Sequence, residues 1–163
     1  MAQKEEATGG ILAGIRILDL TRVLAGPFAS MVLADLGAEV LKVELPGTGD
    51  EARGFGPFLK EESAYFMSVN RGKKSLTIDL RKPEGQELAR RLAGSCDVLL
   101  ENFRPGSMAR FGLDFDSLHQ LYPKLIYASI SGFGQTGPYA QRPAYDVIIQ
   151  AMSGLASITG IDG

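Results

Sequence analysis

The sequence is poor in the residues that most often announce a chemistry. Its 163 residues include one cysteine, Cys96, one histidine, His119, and no tryptophan. A single cysteine excludes an internal disulfide framework, and one cysteine with one histidine excludes a Cys/His metal cluster, so no metal site is expected. Neither charge dominates. Seventeen basic side chains stand against 19 acidic ones, net −2, which leaves no electrostatic footprint for nucleic acid. No window approaches the roughly 18 apolar residues of a membrane span, and the opening MAQKEEATGG carries charge where a secretory signal would carry its apolar core. The expectation is a cytoplasmic protein without membrane or nucleic-acid partners. A small anionic ligand needs only a local basic patch and is compatible with all of these absences.

What is present is a globular composition, 45% hydrophobic and 22% charged, at a length that suits one domain. From Ile15 onward, short β-rich runs alternate with helical stretches, the pattern of an α/β protein with a mostly parallel sheet. Strands are expected at 15–20 (IRILDL), 39–44 (EVLKVE), 75–80 (SLTIDL), 97–100 (DVLL) and 125–131 (LIYASIS), each short enough to be central. Helices are expected at 27–37 and 83–94, each with proline near its start and glycine at its end. Others are expected at 103–112, at 114–121 behind an Asp114 cap, and at 144–158. Residues 1–13 read as a flexible tail, residues 14–163 as the domain, and residues 45–62 as a long Gly/Pro/charge-rich connection, either a surface binding loop or disordered.

Most motifs have a plain reading. GFGQTG (132–137) matches G-x-G-x-x-G after a strand, but Pro138 and Pro143 prevent an immediate helix. No acidic residue stands about 20 positions on, so a glycine-rich loop is preferred to a dinucleotide fingerprint. His119 falls opposite Leu118 and Leu121 and reads as a surface residue. Cys96 has no cationic neighbour in sequence and reads as an inert buried thiol; no G-x-S-x-G elbow supports a triad. RVLAGPFAS (22–30) is more informative. A strand ends, two small residues allow a ligand close to the backbone, and a helix start offers free N–H groups to a phosphate or an adenine edge. Arg71, Lys73, Lys74, Arg81 and Lys82 crowd around the next strand, either as solvated surface charge or as an anion patch.

Four long stretches in order, GIRILDLTRVLAGPFASMVLADLGAEVLKVE, SVNRGKKSLTIDLRKPEG, DVLLENFRPGSMARFGLD and LIYASISGFGQTGPYAQRPAYDVIIQAMSGLASITG, closely resemble the class III coenzyme A transferases, over about residues 14–163. The resemblance implies a Rossmann-like sheet flanked by helices, forming the N-terminal part of the family's large domain. It also implies an interlocked homodimer in the full-length form. Coenzyme A or acyl-CoA is then a substrate rather than a resident cofactor, and a carboxylic acid is the partner. By position, Arg22, Val23, Leu24 and Ala25 match the adenosine end of the coenzyme site, and Ile78, Arg81, Asn102, Phe103 and Arg110 match further coenzyme contacts. Tyr145 matches a position near the acyl site, where it either orients substrate or fills the core.

In that family an aspartate attacks the acyl-CoA thioester, giving first a mixed anhydride and then an aspartyl-CoA thioester that the acceptor acid attacks. The resemblance places this nucleophile beyond Gly163 and gives Asp162 to the preceding turn, so the chain is expected to be the front part of a longer enzyme and inactive alone. A related racemase branch carries Gly-His-Asp where this chain has Ala144-Tyr145-Asp146; without the imidazole, two-base chemistry lacks a partner. A third reading is a non-catalytic module that retains part of the CoA surface. Leu24 replaces a glutamine of the formyl-CoA enzymes, which points to a longer acyl group such as succinyl, and Leu45 replaces a basic phosphate contact.

Overall fold

The computed structural model describes residues 10–161. In chain order its elements are β1 (Arg16–Asp19), α1 (Ala25–Asp35), β2 (Glu39–Glu44), the two-residue strands β3 (Phe58–Leu59) and β4 (Glu62–Ser63), α2 (Ala64–Asn70), β5 (Lys74–Thr77), α3 (Pro83–Ala93), β6 (Val98–Glu101), α4 (Phe115–Leu121), β7 (Ile126–Ser129), α5 (Asp146–Met152) and α6 (Leu155–Ile158). Five strands form one parallel sheet in the order β5-β2-β1-β6-β7, and β3 and β4 make a small antiparallel hairpin. The order reverses between β1 and β6, which makes this an α/β Rossmann-like sheet with its switch point at the ends of those two strands.

The inner strands β1, β2 and β6 are largely buried on both faces because helices cover both, and the edge strand β5 is mostly exposed. Leu18 and Leu99 point to the side of α3 and α4, where they pack with Ala89, Ala93 and Leu118. Ile17, Val40 and Leu100 point to the other side, against Ala29 and Leu33 of α1. Residues 10–13 already belong to the fold, since the Leu12 N–H donates to the Leu36 carbonyl at 2.9 Å and Leu12 packs on the second cluster.

Several expectations shift. The 75–80 segment pairs over Lys74–Thr77 and then turns inward, with Ile78 N–H donating to the Glu44 carbonyl, and both β5 and β7 are edge strands rather than central ones. Helix α1 starts at Ala25, with Pro27 inside its first turn where no N–H is needed. The 103–112 segment holds only a 3₁₀ turn, 108–111, because Pro105 and Gly106 (φ +81°) interrupt it. Asp114 occupies the cap position of α4, but its carboxylate accepts from the Ser117 hydroxyl instead of a backbone N–H. The 144–158 helix is split, because Gly154 takes φ +83° between α5 and α6, a conformation that glycine adopts at little cost. Inside the 45–62 loop lie a 3₁₀ turn, 51–54, and the hairpin, and an unexpected helix, α2, follows from its Ser63 cap. Among the described residues no helix is long and apolar enough to cross a membrane, and no group of three His, Cys, Asp or Glu is placed to hold a metal.

Candidate active site

The site begins with the turn after β1. Asn102, just beyond β6, donates its amide to the Arg22 carbonyl at 2.8 Å and accepts the Arg22 N–H at 2.9 Å. One side chain thereby joins the two loops that diverge at the switch point. Next in the turn, Val23 sits at φ +68°, a left-handed conformation that a β-branched residue avoids. It is held there because its N–H donates to Asp50 at 3.1 Å.

Asp50 is itself part of a buried ionic layer. Lys42, fully buried in β2, donates to Asp50 at 2.8 Å and to the Thr21 carbonyl at 2.8 Å. Beside it Lys73 donates to Asp19 at 3.2 Å, to the Asn70 side chain at 2.8 Å and to the Pro27 carbonyl at 2.9 Å. Burial pushes Lys73 down to about 8, against the opposing pull of Asp19. Asp19 also accepts from the Thr21 and Ser30 hydroxyls, both at 2.5 Å. Burial acts to raise Glu44 as well, but the Arg53 guanidinium at 2.7 Å on both oxygens, the Ser75 hydroxyl and the Asp50 N–H together hold it at about 2. Every charge in this layer is paired and hydrogen-bonded, as buried charges must be. The layer fixes the backbone of the turn from below.

Above the turn lies a cleft of ≈ 400 Å³ at the carboxyl ends of β1, β2 and β5, lined by Arg22, Ile78, Arg81, Phe103, Arg104 and Arg110 among others. Five of the sequence-expected coenzyme residues therefore meet here, and Asn102 braces their loop. Val23, Leu24 and Ala25 continue the turn into α1 without lining this cleft. The arginines differ in how free they are. Arg22 reaches Glu51 at 3.1 Å and stacks 4.6 Å from the Phe103 ring centre. Arg81 is bound bidentately to Asp79 at 2.8 and 2.9 Å, which holds that carboxyl at about 2. Among the described residues the Arg110 guanidinium donates only to the Ser107 hydroxyl, and Arg104 has no carboxylate partner.

The basic residues around β5 divide unevenly. Arg71 and Lys74 are outward, paired with Asp35 and Glu39, and Lys73 is buried in the ionic layer. Gly26 does not offer the ligand approach expected of a small residue there, because it faces inward: a Cβ would lie 2.3 Å from the Thr21 side chain. Residues 132–137 form a loop with Gly134 and Gly137 at positive φ, as expected of a glycine-rich turn. Tyr145 lines a second cleft of ≈ 170 Å³ on the far side of Asn102, Phe103 and Arg104. It is 73% exposed, so it does not fill the core. Asp162 lies outside the described residues. Sequence reasoning misses Lys42, Glu44, Asp50 and Arg104. A lysine in the middle of an apolar strand, EVLKVE, is the one available signal.

A basic cleft at the switch point of a parallel sheet suits a phosphate-bearing nucleotide-like ligand. The profile of CoA-transferase family III matches residues 12–163. Over 150 residues the chain is 55% identical to the succinyl-CoA:glutarate CoA-transferase of Mus musculus, covering 91% of this chain and 34% of that protein. It is 49% identical to the acetyl-CoA:oxalate CoA-transferase of Acetobacter aceti, covering 93% and 39%. The chain thus spans about a third of the length of these relatives. A crystal structure of a CAIB/BAIF family protein from Brucella suis superposes with TM-score 0.88 at 48% identity, covering 93% of this chain and 41% of that one. With sequence and fold in agreement over nearly its whole length, the chain belongs to CoA-transferase family III.

Proposed function

We propose that this chain supplies the coenzyme A-binding part of an enzyme that moves CoA from an acyl-CoA donor to a carboxylic acid. The observation that carries the reading is the cleft at the β1/β6 switch point, where Arg22, Arg81, Arg104 and Arg110 surround an apolar floor of Leu20, Val43 and Ile78. Guanidinium groups pair with phosphate oxygens in a bidentate fork, and the apolar floor accepts an adenine face. The mouse and Acetobacter relatives are each named for an acid with two carboxylates, glutarate in one and oxalate in the other. We extend that class, a dicarboxylic acid, to the acceptor of this protein.

The proposed chemistry follows the family resemblance. A carboxylate attacks the thioester carbonyl, forming an acid anhydride as the C–S bond breaks and CoA leaves as thiolate. The thiolate attacks the anhydride at the enzyme's acyl carbon, giving an enzyme-bound thioester and releasing the donor acid. The acceptor carboxylate attacks that thioester to form a second anhydride, and the returning thiolate takes the acceptor's acyl group and restores the enzyme carboxylate. We assign the nucleophile to an aspartate downstream of Gly163, not to Asp162. This chain's own residues serve binding. Arg22, Arg81 and Arg110 hold the phosphates, the Asn102 clamp fixes the turn that carries Arg22, and Leu24 offers an apolar edge to the acyl chain.

A calorimetric titration with CoA tests the reading. Binding is expected, and Arg110→Gln and Arg22→Gln should each weaken it about tenfold, the worth of one charge-assisted contact. Absence of CoA binding, or affinity indifferent to both substitutions, would remove the proposal.

A further inference from the structure

The second cleft has a composition that the coenzyme does not explain. It is lined by Phe103 and Arg104, which it shares with the larger cleft, and by Arg142, Ser131, Asn102 and Tyr145. No acidic side chain lines it. Among the described residues neither arginine has a carboxylate within salt-bridge distance, and neither guanidinium donates a hydrogen bond to protein. The Ser131 oxygen is buried without any partner, the one such side-chain atom among the described residues. A buried hydroxyl left unpaired carries a desolvation penalty that a ligand oxygen would remove. Two guanidinium groups without a carboxylate partner and a serine whose buried hydroxyl is unpaired therefore lie around one small cleft.

The positions of these groups are set by packing. Arg142 lies with its guanidinium carbon 4.1 Å from the centre of the Tyr139 ring, and that ring meets Phe133 edge-on at 5.7 Å. Stacking uses the face of a guanidinium and leaves its N–H edge for an oxygen. Arg104 borders all three clefts around the β6 end, including the one that holds the rim common to the coenzyme site. The volume of ≈ 170 Å³ is enough for an acid of a few carbons, being equivalent to about five or six waters of the liquid. Ile130, Ala140 and Ala144 supply apolar wall for its methylenes. The third cleft makes a useful contrast: it contains Glu101, Asp114 and Asp116, which would repel a carboxylate.

We infer that this cleft is the subsite for the second carboxylate of a dicarboxylic acid substrate, with Arg142 and Arg104 as its specificity-determining residues and the Ser131 hydroxyl as donor. The inference rests on the coenzyme reading above and adds to it the place where the acid's far end is read. A monocarboxylic acid of equal chain length leaves both arginines and Ser131 without a partner, and is discriminated against for that reason.

The test is an NMR titration of the isotopically labelled chain with glutarate and, separately, with pentanoate, in which a methyl group ends the chain in place of the second carboxylate. Glutarate is expected to shift the arginine Nε–H signals of Arg142 and Arg104 and the Ser131 amide, saturably, and to bind about tenfold or more tightly than pentanoate. Arg142→Gln should abolish that preference, and Arg142→Lys should restore part of it, since a point charge replaces the fork. Arg91→Gln removes the same charge from the exposed face of α3 and should leave the preference intact. CoA affinity should stay within about twofold in the Arg142 variants. Equal binding of the two acids, or a glutarate preference that survives Arg142→Gln, overturns the subsite. Failure of CoA to bind while glutarate selectivity persists instead overturns the coenzyme reading, so the two failures are distinguishable.

Discussion

Asp50 holds the β1–α1 turn from the side of the buried ionic layer, as Asn102 clamps it from the end of β6. It accepts from Val23, whose strained backbone would otherwise relax, and it neutralises Lys42, which has almost no exposure to water. Asp50→Ala leaves that ammonium buried with only the Thr21 carbonyl as acceptor, a change that typically costs about 3–5 kcal/mol. Chemical denaturation should show a loss of that order, and the CoA affinity of the molecules still folded should also fall, because the turn is released. A loss below about 1 kcal/mol would mean that water reaches Lys42. Glu44 gives a pH signature. Its carboxyl is held at about 2 against an ordinary 4.5, so its contribution is complete above 4.5 and is lost as pH falls toward 2. Arg53 is 37% exposed and screens the pairing, which leaves a contribution of roughly 2 kcal/mol. Glu44→Gln should therefore be the less stable protein at pH 7, and the two urea midpoints should converge near pH 2. Midpoints that stay equally far apart at both pH values would contradict the assignment.

At the scale of elements, the start of α1 is decided by a contact rather than by a cap. Leu24 makes no side-chain capping bond, and Gly26 lies so close to Thr21 that an added Cβ would sit 2.3 Å from its nearest atom. Gly26→Ala should push α1 away from β1 and cost on the order of 1–3 kcal/mol as an overpacked core position, measured by thermal unfolding. A variant as stable as the parent would show that the helix shifts freely. Burial on both faces explains what the sequence makes legible at this scale. Strands covered on both sides read as apolar runs, which makes β1, β2 and β6 visible, whereas the edge strands β5 and β7 are less covered and are visible through their β-branched and aromatic residues. The split of 144–158 is not, because a glycine in a helical pattern does not reveal whether it will take positive φ until the neighbouring packing is known. Arg22, Phe103 and Arg110 are legible through long motifs that resemble a known family. The ionic layer is not, since Lys73 and Asp19 are 54 positions apart and nothing in either neighbourhood advertises the other. Arg104 and Arg142 stand 38 positions apart in the chain and share a cleft only after β6 and β7 pair.

For the molecule as a whole, the unequal covering of its two faces matters most. The side of the sheet under α3 and α4 is closed by a cluster of twelve buried residues, but α1 presents an outward stripe of Leu24, Phe28, Val32 and Leu36 at four-residue spacing. Phe28 is 53% exposed and Leu24 48%. On α5 and α6, Val147, Met152, Leu155 and Ile158 are exposed as well. Contiguous apolar surface of this kind drives association in water, and each large side chain covered contributes about 1.5–3 kcal/mol. The chain should therefore self-associate as its concentration rises, more strongly in sulfate, which strengthens apolar burial. Replacing Phe28 and Val32 together by glutamate removes two of these contributions and adds like charge. The dissociation constant should then rise on the order of a hundredfold. Neither residue lines any of the three clefts described above, so CoA affinity should be retained. Sedimentation velocity over a concentration series decides the matter. A sedimentation coefficient that does not change with concentration in the parent chain would show that the α1 stripe is tolerated in water. A change that is identical in the double variant would move the association to α5 and α6.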